Sequence, residues 1–541
     1  MSQHLLAAEA DQIQDFIFRA SHLREVVGGS QLLTRFGDET KEESAILQLF
    51  SQIPACKCEV VSAGGGSFRL LFDTSEHAVE FGKALSEVYR LTTGGTLSVA
   101  EPALFEGDYR KAAESAELNL RRAKRSRGFG GVTAQLPYTA FCASCGVGLA
   151  CEHGKRHPGD REGQYLCGVC RAKGRERWTN EMGDFLEPFF RKVVGDLSLD
   201  LCHWPGDGTG GSGQSDDPTE DMAPFDSRRY VGYLLADANS MGKVFGKCEK
   251  EQARRLSKKL TDTLQQSLAE PARLLMQHQE RIAPFIPVLP LILGGDDLFA
   301  LIPAPWAFDF AHRFCRTYDE IMKHVLEQLG LADLSPPTIS VAVVICKCSY
   351  PYHLAHGVGE ERLAQAKHVA KALALQKDIH SSVVNFEIIT GSQLAIPGDK
   401  AESVRDTLRP YWISEGVPPG WGESMHTLLG QREELTGVPR KRRVQLRNYF
   451  DELRGTKLTE EETLRSGLRW LQSRIERDKS HGVKVKEALK LLGDKKEGRL
   501  RRMEASTGGG RRWSGHGLPD VLDAWDFTLK VDKPRRCYEE V

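Results

Sequence analysis

The sequence predicts an α/β (α+β) protein built from two related domains, and three observations carry that reading. Strand-like apolar runs alternate with helix-period stripes, the pattern of a sheet covered by helices. Four short segments recur in the same order in the two halves of the chain. A pair of CxxC motifs lies between the halves.

The elements follow in order. LLAAEADQIQDFIF (5–18), AGGGSFRLLF (63–72) and LSVA (97–100) belong to the first half. Residues 205–228, rich in Gly, Ser, Asp and Pro without apolar periodicity, read as a flexible linker and the main domain boundary. After it, YVGYLLA (230–236) is a strand ending at Asp237, followed by a turn and a helix through Leu256 and Leu260. A strand over 286–293, the turn Gly294-Gly295-Asp296-Asp297 and a strand LFALI (298–302) form a hairpin. Phe310, Phe314 and Ile321 stripe a helix as core residues; TISVAVVI (338–345) is a β-branched strand. Leu363, Ala366, Ala370 and Leu373 stripe another helix. Cys346 and Cys348, two apart on a strand, read as core residues. Helical patterning such as Leu464, Leu468, Leu471 and Ile475 marks the C-terminal region as a helical bundle.

The repeats align Glu9 with Asp237 (offset 228), residues 63–72 with 293–302 (230), LSVA with ISVA (242), and Ala123-Lys124 with Ala366-Lys367 (243). Offsets that drift slowly upward in one order argue for a duplicated domain. The copies differ where chemistry would sit: Gly66-Ser67 in the first, Asp296-Asp297 in the second.

Composition narrows the rest. At 541 residues the chain holds about three or four domains. With 73 Lys+Arg against 74 Asp+Glu, it is neither a uniformly basic nucleic-acid binder nor an acidic-tail protein. The N-terminal MSQHLLAAEAD is acidic too early for a signal or transit peptide. The longest apolar stretch, Ala283 to Leu293, holds three prolines and is too short to span a membrane. The expectation is a soluble, cytoplasmic, multidomain protein without a membrane partner.

Thirteen cysteines, four of them in Cys142-x-x-Cys145 and Cys167-x-x-Cys170, suit metal ligation in a reducing compartment. Four thiolates close a tetrahedral structural zinc shell; a redox dithiol or unligated cysteines are the alternative. Cys151, His153 and His157 lie inside the loop, so one of them could replace a cysteine ligand.

A Gly-Gly-Asp turn between apolar strands is by default only a hairpin turn. Here it carries two consecutive carboxylates, and Asp237 ends an earlier strand. If the strands are neighbours, Asp237 and Asp296 converge, and such oxygens need a hard divalent cation, magnesium or manganese. Asn239 and Ser240 lead from strand to helix, where backbone N–H groups suit a triphosphate, and Lys367 supplies a cation for its phosphates.

These residues carry a resemblance. The strand ending ADANSMG, the GGDD hairpin and the AK helix resemble the ferredoxin-like palm shared by GGDEF cyclases and polymerases. Two palms, the first degenerate, with CxxC…CxxC between them, resemble the large polymerase/cyclase subunit of type III CRISPR effector complexes. IQDFIF (13–18) with LREVVGGSQLL (23–33) is similar to the start of that family's first palm. The resemblance spans about 5–395, and the C-terminal region by position only.

It implies synthesis of cyclic oligoadenylates from ATP, in antiviral defence, switched on by target RNA. Other complex subunits, guide RNA and target RNA are the implied partners. By position Asp237, Asp296 and Asp297 match the family's metal-binding acids, and Gly294 and Gly295 the turn that lets backbone approach the nucleotide. Asn239 stands where the family often has a further acid. No His-Asp dipeptide occurs in the chain, which begins at the first palm, so the expectation is no HD nuclease domain and no DNA cleavage. The rival readings are a cyclase with a different product and a non-catalytic RNA-binding scaffold. Gly65, in the retained triple glycine, is expected to line the second nucleotide's pocket, unless it serves only a tight turn.

The expected domains are a degenerate palm (1–135), a zinc-binding and helical module (136–204), the linker (205–228), a catalytic palm (229–398) and a helical domain (399–541). Basic runs at 121–127, 440–443 and 499–502 read as solvated faces or as phosphate contacts.

Overall fold

The computed structural model describes residues 3–20, 22–37, 44–53, 57–126, 139–155, 162–175, 186–207, 217–278 and 284–390, and shorter stretches from 407 to 533. The stripe from Leu464 to Ile475 lies outside the described residues, as does His157.

The first sheet grows from β1 (Gln3–Asp11), whose Leu5, Leu6, Ala7 and Ala8 are buried on both faces. α1 (Ile13–Phe18), α2 (Leu23–Gly37) and α3 (Ala45–Gln52) follow. The hairpin β2 (Cys58–Gly64) and β3 (Ser67–Phe72), α4 (Ser75–Thr93), β4 (Thr96–Val99), β5 (Ala103–Phe105) and α5 (Tyr109–Ser126) complete the unit. Strand order is β2-β3-β1-β4, with β5 also paired to β1. This is the βαββαβ arrangement of a ferredoxin-like fold.

The middle module holds the hairpin β6 (Glu152–Gly154) and β7 (Gln164–Leu166), then α6 (Gly168–Arg175) and α7 (Glu187–Val194). Part of the stretch read as a linker is built into the fold. α8 (Pro218–Met222) is capped by the Asp217 carboxylate on the Thr219 N–H, and Thr219, Asp221 and Met222 are buried. Acidic and apolar residues at helical spacing outweigh the glycine-rich composition there; residues 208–216 lie outside the description.

The second unit runs β8 (Tyr230–Ala238), α9 (Met241–Phe245), α10 (Lys250–Gln277), β9 (Leu289–Gly294), β10 (Asp297–Pro303), α11 (Ala307–Gln328), β11 (Ile339–Lys347), α12 (Tyr352–Lys377), β12 (Val383–Ile388) and β13 (Tyr411–Trp412). Its order, β13-β12-β11-β8-β10-β9, repeats the first sheet and extends it by two strands. Phe310 and Phe314 are buried in the core, as are Cys346 and Cys348. One apolar core runs from Leu5 and Val26 of the first unit through Val231 and Phe299 of the second.

β13 lies beyond residue 398, so the second sheet reaches further along the chain than expected. The described C-terminal pieces, including α13 (Met425–Glu434), β14 (Arg501–Met503), β15 (Trp513–Gly515) and α14 (Leu518–Ala524), include two strands besides helices. Their anchor is electrostatic: Arg409 bonds Asp520 at 2.7 Å and Asp523 at 3.0 Å while its guanidinium lies 3.8 Å over the Phe386 ring. Lys530 reaches Asp309 of α11 at 3.2 Å. No helix among the described residues is long and apolar enough to cross a membrane.

Candidate nucleotide and metal sites

Strand register brings the acids together. β8 lies between β10 and β11, placing Asp237 directly opposite Asp297 on one side and Ser340 on the other. Asp296 forms the hairpin turn with Gly295, whose φ of 62° is the left-handed region glycine tolerates. The first unit repeats this register: Glu9 faces Ser67 on β3 and Ser98 on β4. Each copy also sends a lysine to its central acid. Lys367 of α12 pairs with Asp237, and Lys124 of α5 with Glu9 at 2.9 Å. Asn239 bonds Thr338 at 3.1 Å and Ser340 at 2.9 Å, just as Asp11 bonds Thr96 at 3.2 Å and Ser98 at 2.8 Å. Even the strained strand-to-helix turns match, at Gln12 (φ 54°) and Ser240 (φ 64°).

The two hairpin turns meet tip to tip. A Cβ on Gly65 would lie 3.4 Å from the Gly295 Cα, and one on Gly295 would lie 3.6 Å from the Gly65 Cα. Gly65 therefore packs on the GGDD turn itself. At Gly66 a Cβ would collide with Ile13 at 2.3 Å, so the first unit has no room where the second carries Asp296. Gly242 and Gly294, by contrast, would present a Cβ to open space, leaving the second unit's turn approachable.

Electrostatics single out the second unit. Burial, then the Asp237 charge, raises Asp296 above the usual carboxylate range. Burial, then Asp237 and Asp296, pushes Asp297 up to about 8. Asp297 is nonetheless open to solvent, so it sits in a cleft that is walled by protein but not sealed. Carboxylates paired in register repel at the spacing of cross-strand neighbours. Here the Lys367 ammonium, paired with Asp237, offsets part of that repulsion. Glu9 of the first unit adds to the field at Asp296, so the cleft is walled by both copies.

The four cysteine sulfurs, Cys142, Cys145, Cys167 and Cys170, all lie within 4.8 Å of one another. Cys145 and Cys167 are 3.9 Å apart; a tetrahedral zinc–thiolate shell has edges of about 3.8 Å. The Gly148 N–H points at the Cys145 sulfur (3.3 Å) and the Cys170 N–H at the Cys167 sulfur (3.4 Å), which orients both knuckles. S–H donation from Cys167 and Cys170 holds the Cys145 thiol well below its ordinary range, and its partners shift upward. Of the three, the Cys145 sulfur is the one its neighbours favour as thiolate, the form that binds a metal ion. Cys151 bonds the Leu166 carbonyl and His153 meets Tyr165 edge to face, outside the cluster. Among the described residues the four cysteines form the one such close cluster; the three aspartates, with Lys367 on Asp237, do not close to it.

Residues 230–374 match the family model of the Cas10/Cmr2 second palm domain. That match covers the second unit from the start of β8 into α12. The apo Csm1–Csm4 cassette is similar at 19% identity and a TM-score of 0.42, over 68% of this chain and 52% of that one. The same cassette in complex with cA4 is similar at 17% and 0.41, over 68% and 52%. Csm1 of T. onnurineus is similar at 16% and 0.42, over 70% and 52%. The chain spans about half the length of these structures. No curated protein matches it.

The second palm thus gathers Asp237, Asp296, Asp297, Gly294, Gly295 and Lys367 at one end of its sheet, with Ser240 at the start of α9. Asn239 is engaged with β11. Sequence reasoning missed Glu360, raised by burial and bonded to Gln14 of the first palm. Its position two turns before Lys367 on α12 was a readable signal. It also missed the basic-run residues' partners: Lys124 serves Glu9, and Arg443 lies 4.1 Å over the Trp525 ring.

Proposed function

We propose that the chain is a magnesium-dependent (or manganese-dependent) nucleotidyltransferase that makes cyclic oligoadenylates from ATP within a type III CRISPR complex, switched on by target RNA. The carrying observation is the register that sets Asp237 against Asp297, with Asp296 beside them, in one palm while the same register in the other holds Glu9 and Ser67. Asp237, Asp296 and Asp297 would hold the divalent ion, whose carboxylate-only donor set suits a hard cation. When bound, such an ion makes a 3′-hydroxyl more acidic and neutralises charge on the transferring phosphate.

The chain's own groups do the rest. Gly242 and Gly294 leave room for phosphates against the backbone, and Lys367 brings its ammonium to phosphate oxygens. Gly295, braced by Gly65, fixes the turn that aims Asp296. The four cysteines would hold a structural zinc ion. In this reading residues 1–135 form the degenerate palm, 136–204 the zinc module, and 229–398 with β13 the catalytic palm. Other complex subunits, guide RNA and target RNA are the partners.

The test is to incubate the assembled complex, with and without target RNA, with each NTP and identify products by mass spectrometry. Cyclic adenylate rings formed from ATP in the presence of target RNA are expected. Four unchanged NTPs in the target-bound complex would overturn the proposal.

A further inference from the structure

A lysine that no motif marks ties the cysteine module to the cleft. Lys173 leaves α6 three residues after Cys170 and is 1% exposed. Its ammonium donates to the carbonyls of Phe16, Ile17 (3.4 Å) and Arg19 (3.4 Å), and lies 4.3 Å from the centroid of the Phe16 ring. These are the last carbonyls of α1 and its cap, groups that a helix end leaves without intrahelical partners. The other cysteine pair grips the same palm: Ser144, between Cys142 and Cys145, donates at 2.7 Å to Glu25, a fully buried side chain of α2.

The segment so held faces the second palm. The Phe18 ring lies 3.8 Å from His356 and 5.3 Å from Phe299, and the Tyr352 hydroxyl donates to the Ala20 carbonyl. Phe299 lies two residues beyond Asp297 on β10, hence on the same face. Gln14 of α1 bonds Glu360, on the helix that presents Lys367. A contiguous set of contacts therefore runs from Cys170 to the acids. A lysine buried among neutral carbonyls is a costly anchor where an apolar side chain would pack as well.

We propose that Lys173 is a positioning residue that couples occupancy of the four-cysteine site to nucleotide binding in the palm cleft. The proposal rests on reading that cleft as a nucleotide site. A cation among the sulfurs fixes α6, α6 fixes the ammonium, and the ammonium holds α1 and Phe18 against β10. Without the cation the two knuckles are free to part and α1 loses its anchor. Coupling of this kind is reciprocal, so nucleotide must also slow metal loss.

The test measures affinity for a fluorescent, non-hydrolysable ATP analogue with magnesium, for zinc-loaded and zinc-stripped protein. Stripping is expected to weaken wild-type binding about tenfold. Loaded Lys173→Met should retain zinc by elemental analysis yet bind as weakly as stripped wild type, with no further loss on stripping. Lys173→Arg, which restores a donor to the carbonyls, should recover part of the affinity. Loaded Lys173→Met binding like wild type, or losing affinity on stripping by the wild-type factor, overturns the coupling. Should Lys173→Met fail to fold, zinc release from the wild-type protein decides: slower release with the analogue supports the coupling, and an equal rate overturns it. Loaded wild-type protein that binds no nucleotide overturns the cleft reading, and the coupling with it; normal binding indifferent to stripping overturns the coupling alone.

Discussion

Asp297→Asn should make the metal-free protein more stable while abolishing its response to magnesium. Asp297 stands opposite Asp237 in the β8–β10 register, with Asp296 adjacent, and its carboxyl is pushed up to about 8 by burial and those two charges. A carboxyl raised on folding opposes folding wherever the unfolded chain would be ionised. The opposition is absent below about pH 4, grows through the window up to about 8, and is complete above it. Because Asp297 is open to solvent, screening reduces its weight to roughly 1–2 kcal/mol. Asparagine keeps the shape and a hydrogen bond to Asp237 but removes the charge. In metal-depleted buffer at pH 8.5 the variant's melting temperature should exceed wild type by roughly 3–6 °C, and the gap should close at pH 4. Magnesium should raise the wild-type melting temperature at pH 8.5 and leave the variant unmoved. Differential scanning fluorimetry across pH, with and without magnesium, reads both effects. A variant that melts below wild type at pH 8.5 without metal, or an equal magnesium shift in both, would refute the reasoning.

Freshly purified protein should carry one zinc ion per chain, and Cys142→Ser with Cys145→Ser should remove it and lower the melting temperature; elemental analysis finding none in unchelated wild type contradicts this. Gly65→Ala should stay folded by circular dichroism yet form much less product. Its φ of 56° costs an alanine about 1–2 kcal/mol, a strain placed on the turn that touches Gly295. Gly64→Ala, whose methyl meets nothing within 4 Å, should keep its activity. Equal activities in the two variants would show that the tip-to-tip contact is irrelevant.

Much of the second palm was readable because each strand is an apolar run ending at a polar turn, and the hairpin is marked by two glycines. The duplication was readable at residue level. The offsets that pair Glu9 with Asp237 and LSVA with ISVA reappear as matching strand registers, and the Lys124–Lys367 match as two equivalent ion pairs. What stayed hidden depends on contacts between distant segments. The contact between Gly65 and Gly295 left no mark in the sequence, because nothing in either turn says that the turns meet. β13 and the Arg409–Asp520 pair join residues with no shared periodicity, so the C-terminal pieces packing on the second palm left no local trace. The 217–228 segment was masked by the glycine-rich stretch before it. Lys173 looked like an ordinary basic residue, since burial among carbonyls is a property of the fold.

The most direct test of the central claim follows α-phosphate-labelled ATP in the target-bound complex containing either wild-type chain or Asp296→Ala with Asp297→Ala. The account predicts labelled cyclic adenylates from wild type and none from the double variant, with RNA binding and complex assembly unchanged, since both carboxylates sit at a turn outside the core. The same products at the same rate from the double variant would contradict it.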